Sequence, residues 1–551
     1  MGQCFTFMWS GHLLTPAVVE SITELHCGNL RLQPFCLAGK RLKYYKVDTA
    51  TADYQFPDGV TPIAENLFTP GLLAASTPAQ YASRLNKLQE IAMARSSGLP
   101  LGFSIDQEGC FSRDYCYGGI NLFPSAMGLT AADDLQLVYK VNKAVALQLS
   151  AMGINIIHSP VLDINVAPQN PEIGIRSFGD DPARVGANAL KAMQGLKDGG
   201  LITTGKHFPG RGDSRIDAHF GKPVLEVDRS MLKQRELVPY QILIENGLPS
   251  IMLAHNLYPA YDNKNMATVS PAIIKGLLRE ELGFEGVITT DSIAMGALMK
   301  EYSLAGACAR ALAAGADMVL NKTETSWRDQ GFWETIKYVE KGLISREELD
   351  NKVRRILRMK WERGLFHKPQ VKVKQADKWI RDKKVIRLAD TAARKAAVIL
   401  KPSPLLKTDD SILVIEQRLP EKTLGQTHQL HRLALTEAVY KYCPRAVAAD
   451  CEFKATPDDE KIIIPLLEDV DHVIMTNHYF RGCPENNTEL VQKIIAAGKQ
   501  VHLIVNTPYP FSVVNGAAGI ICTFSSAPES LRVAAGILFG RDKAAGSWPL
   551  Q

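Results

Sequence analysis

The feature that most constrains the fold is a regular alternation of short apolar runs with amphipathic helical stretches between residues 100 and 320. Such runs are typical of buried parallel strands, and the stretches between them are typical of crossover helices. The apolar runs cover residues 101–105, 154–158, 201–204, 250–254, 287–290 and 318–320. The helix candidates cover residues 134–152, 182–198, 229–246, 271–282 and 304–314. This number of units favours a closed (β/α)8 barrel of the TIM type over an open doubly wound sheet.

The chain changes character near residues 366–384, where a lysine-rich and weakly apolar stretch indicates a linker. A helix candidate at residues 385–397 follows, and after it come new apolar runs at residues 412–415, 473–475, 501–505 and 519–522. We therefore predict an α/β protein with a catalytic barrel over residues 1–368, a linker over 369–384 and a smaller α/β sandwich domain over 385–551.

Polar residues follow almost every apolar run of the predicted barrel. They are Asp106, then Ser159 and Asp163, then Lys206 and His207, then His255, Asp291 and Asn321. In α/β barrels the carboxyl ends of the strands carry the active site. The pattern predicts a polar pocket at one end of the barrel.

Composition excludes several classes of protein. Apolar residues make up 46% and charged residues 22% of the chain, which is ordinary for a globular protein. The formal net charge of +5 gives no support for nucleic-acid binding by bulk charge. Since we find neither a signal peptide nor an apolar spanning segment, we expect a cytoplasmic protein without a membrane partner. The ten cysteines lack metal-ligand spacing, so we expect no metal and no other cofactor. The oligomeric state stays open.

A polar, glycine-rich loop at residues 205–223 follows the third run and carries Lys206, His207, Asp217 and His219. Asp217 and His219 are two residues apart, so in extended backbone both side chains lie on one side of the chain. A carboxylate in that position can orient an imidazole, and histidine is a ready general acid and base. The alternative is a turn-rich loop with solvated charges, and Asp-x-His alone does not decide between the two.

Asp291 ends the fifth run, where a charge is unusual unless the protein uses it. Its carboxylate could attack an electrophilic carbon as a nucleophile. It could equally cap the helix predicted to begin near Ser292, and this segment alone leaves both interpretations open.

Taken together, these segments resemble family 3 glycoside hydrolases of the β-N-acetylglucosaminidase branch. Four motifs carry the resemblance: Ile-Asp-Gln-Glu-Gly at 105–109, Gly-Ile-Arg-Ser-Phe-Gly-Asp-Asp-Pro at 174–182, Lys-His-Phe-Pro-Gly-Arg-Gly-Asp at 206–213 with Asp-Ala-His at 217–219, and Thr-Asp-Ser-Ile-Ala-Met at 290–295. The four motifs occur in this order along the chain, which argues against a chance match to the family.

The resemblance implies retaining hydrolysis of a small carbohydrate substrate through a covalent glycosyl-enzyme. It implies that Asp291 is the nucleophile and that His219 is the general acid and base, with Asp217 as its partner. It further implies a set of residues that hold sugar hydroxyls: Asp106, Arg176, Lys206 and His207. The expected substrates are terminal N-acetylhexosamines of cell-wall fragments or chitooligosaccharides.

The chain also departs from the family pattern. Cys110, Phe111 and Ser112 replace the usual Gly-Arg-Val, and Arg211 stands where the family usually has histidine. The first 70 residues match poorly, because residues 26–33 lack the family's apolar, glycine-led strand. We therefore assign no site residue in that region.

Three other functions compete with the hydrolase. A neutral imidazole repels an anionic acceptor less than a carboxylate does, so phosphate could replace water and make the enzyme a phosphorylase. A sugar-binding protein on a decayed barrel would lack catalytic groups, yet Asp291, His219 and Asp217 are present. A nucleotide-dependent oxidoreductase needs Gly-x-Gly-x-x-Gly, and Arg215 stands where the third glycine would be.

Two short motifs have simpler interpretations. Residues 1–6 fit a loose myristoylation pattern, but we interpret residues 2–9 as a buried opening strand. The tripeptide Arg-Gly-Asp at 211–213 is interpreted as an incidental match to an adhesion sequence.

Overall fold

The computed structural model describes residues 1–10, 14–33, 77–109, 115, 119–218, 221–322, 325–418, 433–480 and 485–551. Eight parallel strands close into a barrel, because β1 pairs with β8 as well as with β2. These strands are β1 (Phe5–Ser10), β2 (Asn29–Gln33), β3 (Gly102–Ile105), β4 (Ile156–Ile157), β5 (Ile202–Phe208), β6 (Ser250–Leu253), β7 (Val287–Ser292) and β8 (Met318–Asn321). The closed barrel confirms the predicted TIM-type fold.

Helices surround the strands. Those of the barrel half are α1 (Pro16–Thr23), α2 (Pro78–Met93), α3 (Ala126–Ala131), α4 (Leu135–Ala151), α5 (Pro182–Asp198), α6 (Arg229–Met231), α7 (Val238–Glu245), α8 (Gly296–Met299), α9 (Leu304–Ala314), α10 (Thr325–Glu340) and α11 (Arg346–Glu362). Two π-helical segments, Leu232–Glu236 and Ala272–Glu281, replace parts of the helices predicted at residues 229–246 and 271–282.

Helix α5 illustrates how local sequence sets these elements. Asp181 caps its start by accepting a hydrogen bond from the backbone N–H of Arg184, and Pro182 occupies the first turn. Val185, Ala189, Ala192 and Leu196 recur at helical spacing and are all buried. Their burial packs the helix against its neighbours and so fixes the loops at both of its ends.

Strand β2 lies within residues 26–33, the segment that lacks the family's apolar, glycine-led strand. Its sequence is Asn-Leu-Arg-Leu-Gln, and Asn29 and Arg31 are buried with Leu30 and Leu32. Because alternate residues are polar, no continuous apolar run marks this strand in the sequence. Arg31 lies in this region, to which the sequence assigns no site residue, and it forms an ion pair with Asp106.

A second sheet follows the barrel, with the strand order β11-β10-β12-β13-β14-β9. Its strands are β9 (Val398–Lys401), β10 (Ile412–Gln417), β11 (Val447–Cys451), β12 (His472–Thr476), β13 (Gln500–Val505) and β14 (Gly519–Cys522). Only β9 is antiparallel, and separate apolar clusters form around alternate residues of these strands. Its helices are α12 (Lys383–Ala396), α13 (Ala434–Tyr440), α14 (Pro457–Leu466), α15 (Thr488–Ala496) and α16 (Pro528–Leu538). The exact limits 1–368, 369–384 and 385–551 stay a proposal.

The start of the chain is packed into the barrel. Gly2 is buried in a short 3-10 helix, and a Cβ atom at this position would lie 2.2 Å from the carbonyl oxygen of His26. Strand β1 begins at Phe5, so the prediction of a buried opening strand is confirmed. Within the described ranges, no helix is both long and apolar enough to cross a membrane.

Candidate active site

The carboxyl ends of the barrel strands bring several of the predicted site residues together. Lys206, on β5, places its Nζ 2.9 Å from Oδ1 of Asp106, which directly follows β3. His207, the next residue, has its Nε2 3.9 Å from Oδ2 of Asp291 on β7. Strand ends that are far apart in sequence therefore supply one pocket, as expected for this fold.

Asp291 is buried and surrounded by positive charge. It is 9% exposed, and its Oδ2 lies 3.6 Å from Nη2 of Arg211. Its Oδ1 accepts a hydrogen bond of 2.7 Å from the backbone N–H of Ser292. Burial raises the pKa of this carboxyl, but Arg211, His207, His255 and Lys322 outweigh burial and hold the pKa well below its usual range. Asp291 is therefore a charged carboxylate at neutral pH.

His207 is neutral near pH 7, so Arg211 supplies the lasting charge beside Asp291. Burial first and Arg211 second lower the pKa of His207 to about 4, although Asp163 opposes them. Asp163 lies 2.7 Å from Nδ1 of His207 and accepts a 2.8 Å bond from the backbone N–H of Arg211. This carboxylate orients the imidazole and fixes the start of the following loop.

Arg211 pairs with Glu172 from the loop after β4. Their closest atoms, Nη2 and Oε1, are 3.0 Å apart, and Arg211 is only 1% exposed. Asn170 joins the two loops, because its Nδ2 donates to the carbonyls of Arg211 and Gly212 while its Oδ1 accepts from the N–H of Glu172. The burial of Arg211 makes an Arg-Gly-Asp adhesion function untenable.

Gly212 is required by this close approach of the two loops. A Cβ atom at residue 212 would lie 1.7 Å from the carbonyl oxygen of Ile164, which is far inside van der Waals contact. Any larger residue would therefore push apart the loops that carry Arg211 and Asp163.

Glu108 links two of the predicted sugar-binding residues. Its carboxylate accepts from Nε and Nη2 of Arg176 at 2.5 and 3.2 Å and also forms an ion pair with Lys206. Burial raises its pKa, but Arg176 and Lys206 lower the pKa to well below the usual range for glutamate. Arg176 and Lys206 are thus fixed relative to each other.

Asp106 has two cationic partners, Arg31 and Lys206. Burial raises its pKa, but Arg31, Lys206, His158 and Lys322 hold it well below its usual range. Asp106 therefore stays ionised, and Arg31 joins the predicted site residues around it.

The predicted acid/base segment is described only in part. Asp217 is buried, and the loop is held to α8 by a 3.0 Å hydrogen bond from the N–H of Ala297 to the carbonyl of Ala218. His219 lies outside the described residues, as do Cys110, Phe111 and Ser112 of the departure near the pocket. The role of His219 stays a prediction.

The half of the chain that carries the second sheet contacts the loop after β4. The hydroxyl of Tyr509 accepts a 2.7 Å bond from Nδ2 of Asn165, and the hydroxyl of Tyr479 donates to the carbonyl of Pro171 at 2.9 Å. This same loop carries Glu172 and Arg176. The second half therefore contacts the backbone that positions the site.

Sequence reasoning missed several residues of this pocket. They are Arg31, Glu108, His158, Glu172 and the positioning role of Arg211. Glu108 could have been found from its place in the first motif. Arg211 was marked only as a departure within the third motif and Glu172 carried no signal, because only the folded loops bring their side chains together.

Comparisons with known proteins agree with this architecture. The model of the glycosyl hydrolase family 3 N terminal domain matches residues 67–359. The chain is 28% identical over 394 residues to the beta-hexosaminidase A of Pseudoalteromonas piscicida, across 68% of this chain and 64% of that protein. It is 31% identical over 281 residues to a beta-hexosaminidase of Nitrosomonas eutropha, across 50% of this chain and 76% of that protein.

Solved structures share the whole fold. A glycoside hydrolase family 3 beta-N-acetylglucosaminidase from Paenibacillus sp. str. FPU-7 superimposes with a TM-score of 0.85 at 26% identity, covering 100% of this chain and 98% of that chain. A beta-glucoside phosphorylase superimposes with a TM-score of 0.77 at 21% identity, covering 100% of this chain and 93% of that chain, and this likeness concerns the fold alone.

Proposed function

The chain belongs to glycosyl hydrolase family 3 and is a glycoside hydrolase, and from this premise we propose that it releases terminal β-linked N-acetylhexosamine with retention of configuration. The proposed sources of this sugar are cell-wall fragments or chitooligosaccharides. The observation that carries the proposal is the charged, buried carboxylate of Asp291 at the end of β7.

In the first proposed step, an Oδ atom of Asp291 attacks the anomeric carbon C1 of the bound sugar. The bond from C1 to the aglycone oxygen breaks, and the imidazolium of His219 gives its proton to that oxygen. The product is an ester between C1 and Asp291, with His219 left neutral. The low pKa of Asp291 supports this step, because the carboxylate is available without losing a proton first.

In the second proposed step, His219 takes a proton from a water molecule as that water attacks C1. The C1–O bond to Asp291 breaks, which restores the carboxylate and the imidazolium. Two displacements at C1 leave the released sugar in its original β configuration. Asp217, two residues before His219, is proposed to orient the imidazole and to stabilise its protonated form.

The remaining predicted residues are proposed to bind the sugar. The ion pairs of Asp106 with Lys206 and of Glu108 with Arg176 hold charged hydrogen-bonding groups in fixed positions. Fixed groups bind hydroxyls without paying the entropy of ordering long side chains at the moment of binding. His207 is held by Asp163 and completes this set.

The decisive experiment is covalent trapping with a slow fluorinated glycoside, followed by peptide mass spectrometry. We expect an adduct on the peptide that contains Asp291, and no adduct in Asp291→Asn. An adduct on any other residue would overturn the assignment of the nucleophile. NMR during the first turnovers shows which anomer of the sugar is released. Release of the α-anomer would overturn retention.

A phosphorylase is the second candidate, and the positive charge of Arg211, 3.6 Å from Asp291, favours it. In that reaction an oxygen of phosphate attacks C1 of the glycosyl-enzyme in place of water, the C1–O bond to Asp291 breaks, and the product is a sugar 1-phosphate. Turnover of an aryl N-acetyl-β-glucosaminide with and without inorganic phosphate separates the two. Sugar 1-phosphate as the main product would reject hydrolysis as the principal activity.

A further inference from the structure

His255 is fully buried between the end of β6 and the end of β7, with 0% of its surface exposed. Its Nδ1 lies 2.6 Å from the hydroxyl oxygen of Thr268, in the short 3-10 turn Ala267–Val269. Its Nε2 lies 2.9 Å from the carbonyl oxygen of Ser292, the residue that follows Asp291. The ring therefore connects β6 to the residue next to the proposed nucleophile.

The hydrogen-bond partners of His255 determine which of its ring nitrogens carry a proton. The carbonyl of Ser292 can only accept, so Nε2 must donate an N–H to it. The hydroxyl of Thr268 has one hydrogen, and its oxygen lies 2.7 Å from the carbonyl of Ala254, which also can only accept. The hydroxyl therefore donates to Ala254, and its oxygen accepts from Nδ1 of His255. With a proton on both nitrogens, the ring is an imidazolium.

Each neutral form of the ring leaves one of these contacts without a hydrogen. Without the proton on Nε2, two lone pairs would face each other across 2.9 Å. Without the proton on Nδ1, the hydroxyl of Thr268 would have to turn toward the ring, and the carbonyl of Ala254 would lose its donor. Ala254 is buried, and in the described part of the chain no other group donates to this carbonyl. A buried carbonyl without a donor is costly and rare.

The carboxylate of Asp291 supplies the negative charge that a buried imidazolium needs. A buried charge is costly unless an opposite charge lies near it. Burial raises the pKa of Asp291, and four neighbouring groups lower this pKa: Arg211, His207, His255 and Lys322. Since His207 is neutral near pH 7, a cationic His255 adds to the charge that Arg211 exerts on this carboxylate.

We propose that His255 is an imidazolium at neutral pH that positions Asp291 and keeps its carboxylate charged. The proposal rests on the proposed function, because His255 acts through the proposed nucleophile. The carbonyl of Ser292 accepts from His255, and the N–H of Ser292 donates to Oδ1 of Asp291 at 2.7 Å, so the ring fixes the residue that binds the carboxylate. In the second proposed step, negative charge returns to Asp291 as its bond to C1 breaks, and a cation already in place stabilises that charge.

Nitrogen NMR of the full chain with isotope-labelled histidines measures the protonation of His255 directly. At about pH 7.5, where free histidine is mostly neutral, we expect the His255 signal to show a proton on both ring nitrogens. The signal is assigned by its loss in His255→Gln and by its change in Thr268→Val. A single protonated ring nitrogen at this pH would overturn the proposal.

Thr268→Val and Thr268→Ser form a matched pair, because valine lacks the hydroxyl and serine keeps it. In Thr268→Val the Nδ1–H of His255 has no acceptor, so we expect a neutral ring with one proton. The loss of this cation raises the pKa of Asp291, so the acid limb of kcat/KM should move up by about 0.5 to 1 pH unit. Thr268→Ser should keep the doubly protonated ring and the acid limb of the parent.

The kinetics of this pair separate an electrostatic role of His255 from a structural one. An acid limb that stays at the parent's position in Thr268→Val would overturn the proposal, even if kcat/KM falls by the same factor at every pH. The same movement of the limb in Thr268→Ser would also overturn it, because the hydroxyl would then not be the cause. If the parent enzyme cleaves no aryl N-acetyl-β-hexosaminide, the proposed function fails, while the NMR measurement still decides the state of His255.

Discussion

At the scale of single residues, Arg211 controls the charge state of the proposed nucleophile. Its guanidinium lies 3.6 Å from Asp291 and stays charged at every pH at which a protein is folded. An imidazole in this place would lose its charge near neutral pH. The replacement of the family's histidine by arginine therefore gives this chain a permanent cation beside Asp291.

The double variant Arg211→Met with Glu172→Gln should move the acid limb of the pH profile. Arg211 lowers the pKa of Asp291, so its removal raises that pKa, and the carboxylate is then lost at a higher pH as the solution is acidified. We expect the acid limb of kcat/KM to move up by about 1 pH unit or more. Glu172 is replaced as well because it forms a buried ion pair with Arg211. Removing Arg211 alone would leave the carboxylate of Glu172 buried without a cation, which is destabilising.

The control for this variant is Arg215→Met, an exposed arginine in the same loop. It should leave the acid limb in place. A drop in activity of the double variant at all pH values alike, with no movement of the limb, would show that Arg211 has a structural role only.

Asp163→Asn should weaken catalysis by disturbing His207. The carboxylate of Asp163 binds Nδ1 of His207 and the backbone N–H of Arg211, and an amide can replace only part of this set. The loss of a charge-assisted hydrogen bond leads us to expect kcat/KM to fall by about 10- to 100-fold. Steady-state kinetics checks this, and circular dichroism confirms that the variant is folded. Activity equal to that of the parent would contradict the positioning role.

At the scale of elements, the loop after β5 depends on Gly212. In Gly212→Ala the added carbon would meet the carbonyl oxygen of Ile164, so the loop must move and take Arg211 with it. We expect kcat/KM to fall by about 10-fold or more, as for a misplacement near 1 Å, and the melting temperature to fall as well. Gly276→Ala is the matched control, because a Cβ there meets no atom within 4 Å. Equal effects of the two changes would rule out the steric explanation.

Strands β2 and β4 show where sequence predicts elements and where it does not. Most of the barrel is predictable because its strands are apolar runs that end in polar residues. Strand β2 is hidden, because Asn29, Arg31 and Gln33 interrupt its apolar residues. Strand β4 is only Ile156–Ile157, which is shorter than the apolar run at residues 154–158 that predicts it.

At the scale of the whole molecule, the second half of the chain reaches the loop that carries Glu172 and Arg176. Tyr509→Phe removes the hydrogen bond from Asn165 and leaves the ring in place. The loss of one buried hydrogen bond leads us to expect kcat/KM to fall by about 3- to 10-fold. Tyr440→Phe, at an exposed tyrosine of α13, is the control and should have no effect. Unchanged kinetics in Tyr509→Phe would mean that this contact only covers the loop.

The candidate site is predictable from sequence to the extent that its residues lie in motifs. Asp106, Lys206, His207 and Asp291 could be chosen because each lies at the end of an apolar run. Glu172 and Arg211 are 39 positions apart and lie in irregular loops, so no period relates them. Arg31 and His158 could not be predicted as site residues, because they lie within a strand and directly after one. Which of their atoms lack a partner depends on burial in the folded barrel and not on the residue pattern.

The pairing of β1 with β8 joins Phe5 to Val319, and this has a consequence for synthesis. The first strand leaves the ribosome early but finds its second neighbour only after β8 has been made. At about 5 to 20 residues per second, that delay is roughly 15 to 60 s. During this time an open, apolar sheet edge is exposed to other nascent chains. Production of this enzyme should therefore depend on chaperone capacity and on translation speed more than its folded stability would suggest.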